Sequence, residues 1–502
     1  MTLASLAAPL GALPPGSRPT IVAVAIVYFL IVVAIGVWAT RRTHSARDFF
    51  VAGEGIGIWT LAIAAMTATL SGFAFVGGPG LVYSVGLGAM FLVLPGGITN
   101  SMGAWVLAKR MRLLGEARGL VTVPDAIAAR YDSRAAQGLS GVAILIAVIG
   151  YMATNLLAQG LVIDAVFNTG LGTGVWIGML VILAYTASGG ILAGVYTDLF
   201  QGSLKALVSL MVFFVAMGAG GGMTAIAHHI QAIDPGFLGP WGKLTPLAAL
   251  SFFFVFGVGS LGQPHVVHKF YMLRDPRRLK WYPLLTTSAL LITLLLYFGV
   301  GVAIKGQVAA GAIPPLVRAD DATPTFLLHF TPPLLAGLVF AGVAAAIMGT
   351  TNSLMNIGAA AITHDLPVAF GRRFRNELLA GRLSTIALSL AAALVAQFSG
   401  TLVAFLGVFG WGLFASTLVP SLAIGLNWQG ATRAASVASI STGLAITLIF
   451  ETLAYFKMFA FPLGVSVSAI SLVTSLLVFF VVSWITRTAE PLAPDVRLIM
   501  EV

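Results

Sequence analysis

Ser71-Gly72-Phe73-Ala74-Phe75-Val76-Gly77-Gly78-Pro79-Gly80 and Phe256-Gly257-Val258-Gly259-Ser260-Leu261-Gly262-Gln263-Pro264 each interrupt a long apolar stretch, the first at 56–82 and the second at 245–271. A Gly/Pro run in lipid leaves backbone N–H and C=O groups without partners. It is tolerated only where it is buried in protein or lines a cavity. The rest of the chain identifies lipid as the solvent. Of 502 residues, 58% are hydrophobic and 9% charged, against roughly 25% charged in an average soluble domain. Mean hydropathy is +0.98. These values exclude a soluble enzyme, a nucleic-acid binder and a disordered chain. The apolar stretches are continuous and do not alternate, which argues against an outer-membrane barrel.

Thirteen spans are expected, at 20–40, 56–82, 85–109, 136–166, 172–189, 191–219, 245–271, 279–305, 332–363, 381–399, 402–425, 432–455 and 462–486. With the N-terminus outside, 21 of the 27 basic residues fall in inside loops and five outside, and Lys205 falls within a span. This is a positive-inside distribution. It predicts a multi-pass protein of the cytoplasmic (inner) membrane, N-terminus out and C-terminus in. The net charge of +10 therefore reflects topology and implies no nucleic-acid partner.

The two interruptions open spans 2 and 7, five spans apart. Gly/Pro-broken helices at matching places in two five-helix halves point to an inverted-repeat transporter with its site at the midplane. The alternative is that Gly and Pro are simply frequent in membrane helices. The expected division is 1–55 as an N-terminal peripheral helix and inner loop, and 56–219 as the first repeat. Residues 220–425 form the second repeat, and 426–502 two C-terminal helices and a cytoplasmic tail.

The stretch Ser188-Gly189-Gly190-Ile191-Leu192-Ala193-Gly194-Val195-Tyr196-Thr197-Asp198-Leu199-Phe200-Gln201-Gly202 resembles the start of the sixth span of the sodium/solute symporter family, which includes the bacterial proline and galactose symporters. Gly262-Gln263-Pro264-His265 resembles that family's span-7 motif, and Asp48-Phe49-Phe50-Val51-Ala52-Gly53 the stretch before its span 2. The similarity runs from about residue 20 to 440. It implies an all-α, LeuT-type fold, with one extra helix before the five-plus-five core and two after it. It also implies cation-coupled uptake of a small organic solute.

The resemblance further implies a sodium site between the break of span 2 and the middle of span 9. Carbonyl oxygens would come from Thr67, Leu70 and Ala346, and a hydroxyl pair falls on Gly349 and Thr350. Oxygen donors of this kind suit a hard cation. Thr350 keeps its hydroxyl and Gly349 has none. Position 69 is Thr, where the proline symporter has an important Asp. Asp198 matches the family's span-6 aspartate, used in some members at a second sodium site with hydroxyls that align here with Asn352 and Ser353. The alternative for Asp198 is a helix-capping role near the inner interface.

Lys205 departs from the family, whose members have an apolar residue there. A lysine at membrane depth costs roughly 2.5–3.5 kcal/mol on the mildest scale, so it should face the bundle interior or a watery cavity. It lies seven residues after Asp198, about 10 Å further along the helix. Its ammonium could take the sodium position, with Gly349 making room, and exchange of its proton would then couple to transport. The alternatives are a structural ion pair with Asp198 and snorkelling toward the interface.

The substrate is expected between the broken parts of spans 2 and 7, where half-helix amides favour an anionic group. The resemblance implies that Phe73, Phe256 and Ser260 face it, with Ser71 beside them. Tyr151, Asn155 and Gln159 form a polar stripe on span 4, for which interhelical hydrogen bonding is an equal alternative. Trp411 and Phe409 are gate candidates. The pocket is small and aromatic, which favours a small monocarboxylate or amino acid over a sugar.

His265 and His268 are expected at the inner end of span 7, and His228-His229 as an isolated external pair. Neither pair has metal-ligand spacing, so no metal beyond sodium is expected. No P-loop supports ATP-driven transport, and no organic cofactor is implied. Residues 123–131 should form a short interfacial helix. The expected partners are a small organic solute, the bilayer and sodium or a proton as coupling ion. The oligomeric state is open and a monomer is compatible. A symporter-derived solute sensor is the competing reading, and a membrane enzyme lacks a catalytic constellation.

Overall fold

The computed structural model describes residues 17–41, 56–69, 71–399, 403–487 and 492–501. The motif at 48–53 and Leu70 lie outside the described residues. Among the described residues the chain is helical throughout, with one isolated bridge between Ile56 and Leu273. Eleven helices are long and apolar enough to cross a membrane, and two shorter apolar helices, Ile58–Thr69 and Leu171–Ala184, accompany them. The expected thirteen full crossings are thus not resolved as thirteen separate long helices, for local reasons. The break leaves the start of span 2 as a 12-residue helix. The rest of span 2 continues through a tight turn, Gly86–Ala89, towards span 3. Spans 5 and 6 fall in one helical run, Leu171–Ala219.

The helices used below are α1 (Ser17–Thr40), α2 (Ile58–Thr69), α3 (Gly78–Val85), α4 (Met90–Gly103), α5 (Val123–Tyr131), α6 (Arg134–Phe167), α7 (Leu171–Ala219), α8 (Pro246–Gly259), α9 (Pro264–Val267), α10 (Tyr282–Ala309), α11 (Pro333–Ala360), α12 (Glu377–Phe398), α13 (Val403–Leu418), α14 (Arg433–Tyr455) and α15 (Val467–Ile485). The crossings that contain α6, α11 and α13 are the most enclosed, whereas α1 and α14 show most of their surface outward. α7 packs on α6, α10, α11 and α1, and α14 packs on α15. Exposed Trp105, Phe214 and Trp484 lie where a bilayer would cover them, so their exposure is no packing defect.

α5 is covered by protein. Val123, Pro124, Asp125, Ala126, Ile127, Arg130 and Tyr131 are all buried. Thr122 and Asp125 form a capping box at its start, which pairs two otherwise orphaned amides. Arg130 donates to the carbonyls of Gly425, Trp428 and Ala431 at 2.7, 3.0 and 3.2 Å. Thr122 donates to Asp365 Oδ1 at 2.5 Å, and Tyr271 to the Thr122 carbonyl at 2.8 Å. α5 thus bolts the end of the second broken helix to the helical segments after α11 and α13, and protein covers it instead of lipid.

At the opposite end, the turn Ala319–Asp321 closes over both a broken helix and α13. Thr323 donates to the Phe75 carbonyl at 2.8 Å, and Asp320 Oδ2 accepts the Val403 N–H at 2.9 Å. Burial pushes the Asp320 carboxyl up to about 6, against the Val403 amide and Arg318, which favour its ionised form; Asp321 adds to the rise. A carboxyl raised on folding gives stability that is fully present below its unfolded value of about 4 and lost as pH rises through about 6. The Asp320→Asn variant keeps an acceptor for Val403. Its thermal midpoint relative to the parent should therefore rise between pH 4 and pH 7, and a pH-independent difference would refute this.

Candidate functional site

The first break is built by side chains that replace lost helix bonds. The Gly72 N–H donates to Asn155 Oδ1 at 2.9 Å and the Phe73 N–H to Ser71 Oγ at 3.2 Å. Asn155 is fixed in turn, its Nδ2 donating to the Tyr151 carbonyl at 2.9 Å. Gly72 is required by close approach: a Cβ there would stand 2.6 Å from Ala158 Cβ. The amides expected to receive an anion are therefore already engaged by Ser71 and Asn155.

The second break opens between α8 and α9. Gln263 is extended (φ −78°, ψ 102°), so the helix cannot continue through it. Its Nε2 donates to the carbonyls of Gly259 at 2.9 Å and Trp411 at 3.2 Å, tying the break to α13.

Three aromatic rings from three helical segments stack between the breaks. Phe73 and Phe256 lie 5.8 Å apart at 20°, and Phe256 and Trp411 5.1 Å apart at 17°. The Trp411 Nε1–H donates to the Val255 carbonyl at 3.3 Å. Tyr151 Oη lies 3.4 Å from Ser71 Oγ. Ser71, Phe73, Tyr151, Asn155, Phe256 and Trp411 thus converge around the breaks. Ser260 is turned aside, its hydroxyl donating to Thr99 Oγ1 at 2.9 Å and the Gly257 carbonyl at 2.8 Å. Gln159 is not part of this group. It packs against Gly178 and lines a narrow groove with Tyr28, Phe29 and Phe340. One further turn along α6 beyond Asn155 carries the stripe away from the break, so the spacing alone overextended it.

The oxygen cage lies beside α2. Lys205 is fully buried, and its Nζ donates to the Thr67 carbonyl at 3.0 Å. Thr350 Oγ1 lies 2.9, 3.2 and 3.3 Å from the carbonyl oxygens of Ala68, Thr67 and Ala346, and its one proton is shared among them. An ammonium therefore sits against one of the carbonyls expected to hold a cation, with the remaining hydroxyl alongside.

Asp198 takes a different partner from the one considered in the sequence. Its Oδ2 is 2.9 Å from Lys269 Nζ, with side-chain exposures of 0% and 1%, and Thr67 Oγ1 donates to its backbone carbonyl at 3.2 Å. The ion pair is thus Asp198–Lys269, and Lys205 is directed to Thr67. Lys269 was missed because, just past the break, it read as an inner-loop cation. The space beside Gly349 is also filled differently. A Cβ at Gly349 would lie 2.6 Å from Asp198 Oδ1, 2.7 Å from Thr67 Cγ2 and 3.1 Å from Gln201 Oε1, so these groups crowd the room that the glycine leaves. Among the described residues, Asp198 Oδ1, Gln201 Oε1, Asn352 Nδ2 and Ser353 Oγ have no hydrogen-bond partner. Gly349→Ser would restore the hydroxyl pair of the resembled family, yet it should lower the thermal midpoint, since overpacking costs about 1–3 kcal/mol. An unchanged midpoint in purified protein would contradict the packing argument.

His265 and His268 are both buried. His265 packs edge-on to Tyr151 at 5.6 Å, directly after the break.

The chain matches the sequence profile of the sodium:solute symporter family over residues 49–443. It is 27% identical over 475 residues to the osmoregulated proline transporter OpuE of Bacillus subtilis, covering 92% of this chain and 94% of that protein. It is 26% identical over 482 residues to the sodium/proline symporter of Staphylococcus aureus, covering 92% of each. Among solved structures it resembles a Na+-coupled sialic acid symporter in a substrate-bound outward-open state. The TM-score is 0.75 at 16% identity, covering 94% of this chain and 99% of that one. This likeness establishes the fold.

Proposed function

The chain belongs to the sodium:solute symporter family, and from that membership we propose that it imports a small amino acid or small monocarboxylate across the cytoplasmic membrane, N-terminus outside. It is a multi-pass membrane transporter and not an enzyme. The proposed engine is a pair of five-helix inverted repeats, 56–219 and 220–425, whose broken first helices enclose the solute. Proline transport by the relatives and the Phe73–Phe256–Trp411 stack support a compact, partly apolar solute. L-proline is the first candidate.

Lys205 is proposed to stand in for the cation between spans 2 and 9, with a proton exchanged at its ammonium as the coupling ion. The carrying observation is the 3.0 Å bond from its Nζ to the Thr67 carbonyl. One observation favours a second reading, in which sodium binds at Asp198 with Asn352 and Ser353. Asp198 Oδ1, Gln201 Oε1 and Ser353 Oγ are buried oxygens without partners, the donors a hard cation selects.

Uptake of L-proline into proteoliposomes tests both. Accumulation under a pH gradient without sodium supports Lys205 as the coupling group. Accumulation only under a sodium gradient supports the Asp198 site and rejects the proton reading. Binding without accumulation would identify a sensor.

A further inference from the structure

The proposed substrate chamber has its aromatic wall, but the break amides are engaged, so its charged contacts must come from elsewhere. Two buried side chains at the second break supply them. Neither His265 Nδ1 nor Nε2 has a hydrogen-bond partner among the described residues, and the residue is 1% exposed. Gln263 is 0% exposed; its amide nitrogen is fully engaged and its Oε1 has no partner. A buried imidazole or amide oxygen without a partner is costly, and native proteins keep few of them.

The two residues are placed to reach a common ligand. Gln263 immediately precedes α9 and His265 is in its first turn. His265 meets Tyr151 edge-on at 5.6 Å and Phe414 at 6.0 Å, and Tyr151 Oη reaches Ser71 Oγ at the other break. His265 therefore lies on a polar line that joins the two breaks. A neutral imidazole offers one donor and one acceptor, and a glutamine Oε1 accepts only.

We infer that His265 and Gln263 read the two charges of a zwitterionic substrate. The His265 N–H donates to its carboxylate, and Gln263 Oε1 accepts from its primary or secondary ammonium N–H. This rests on the transport reading above and narrows it. A keto acid would leave Gln263 Oε1 without a donor, so an amino or imino acid is selected over a keto acid.

The test uses purified full-length protein with L-proline and pyruvate as probes, by thermal shift and titration calorimetry. L-proline should bind the parent at least about tenfold more tightly than pyruvate. His265→Phe keeps the ring packing against Tyr151 and Phe414. It should weaken L-proline binding about 10–100-fold, the range for one hydrogen bond to a charged group, with an unliganded midpoint no lower than the parent's. His265→Gln, which retains a donor and an acceptor, should recover part of the loss. Independently of the Phe variant, the ¹⁵N-histidine resonance of the parent that disappears in His265→Gln should shift on adding L-proline. L-proline affinity in His265→Phe within twofold of the parent, or an unmoved resonance, overturns the inference alone. Equal binding of pyruvate overturns the Gln263 role. Failure of both probes to bind the parent overturns the substrate reading and this inference with it.

Discussion

Lys205→Met is expected to abolish sodium-independent L-proline accumulation and to leave the protein folded. The bond from Lys205 Nζ to the Thr67 carbonyl holds α7 against α2 at the edge of the first break. A hydrogen bond from an ionised donor contributes about 1.5–3 kcal/mol, so its loss should weaken this α7–α2 contact by about 10–100-fold. Methionine keeps an unbranched apolar stem of similar length, so packing around the stem survives. Thr350 Oγ1 still lies among the Thr67, Ala68 and Ala346 carbonyls, so part of an oxygen cage persists that sodium at high concentration could use. The expected pattern is loss of pH-driven uptake with partial return under a large inward sodium gradient. Initial rates in proteoliposomes decide it. Equal sodium dependence in parent and variant, with no response of the parent to a pH gradient, would remove Lys205 from the coupling mechanism.

The sequence made the membrane class and the broken helices legible because both depend on composition and local backbone chemistry. Nine per cent charge cannot be folded in water at this length, and Gly/Pro runs cannot sit in lipid without partners. Lys205 was legible for the same reason: one cation inside a span stands out where charge is scarce. Pair assignments were not legible. Asp198 and Lys205 share a helix, so spacing suggested them as partners, but Asp198 lies 71 positions from Lys269, its actual partner. Helical spacing reports neighbours on one face and is silent about which other helix covers that face. The same limit applies to Gln159, on the expected stripe of α6 but covered by Gly178. It applies also to the amides of Gly72 and Phe73, free by helix geometry and engaged by Asn155 and Ser71. His265 could have been flagged: it stands one residue after the proline that ends the second Gly-rich run, where a side chain faces the opened backbone.

The Asp198–Lys269 pair carries the largest expected stability effect. Both side chains are essentially inaccessible, so neither charge has water to fall back on when the other is removed. Lys269→Met should destabilise the protein by about 3–5 kcal/mol, the range for breaking a buried pair from one side. Asp198→Asn should cost a comparable amount, because it leaves the Lys269 ammonium facing an amide. The double variant Asp198→Asn/Lys269→Met removes both members of the pair and should recover most of the loss, since replacing a buried pair whole is often nearly neutral. The double-mutant cycle, measured as thermal midpoints of purified protein, therefore predicts strong non-additivity. Lys205 adds a second test within the same cycle. Asp198 lies two helical turns from Lys205 on α7 and also faces Gln201 across the Gly349 position. When Asp198 is neutralised, the region keeps both ammonium groups and loses the carboxylate between them. Asp198→Asn should therefore be less stable in the presence of Lys205 than in the Lys205→Met background, because one of the two like charges is then gone. Additive effects of Asp198→Asn and Lys269→Met would show that the 2.9 Å contact contributes nothing of its own. Equal cost of Asp198→Asn in both Lys205 backgrounds would show that the two lysines do not share an electrostatic environment.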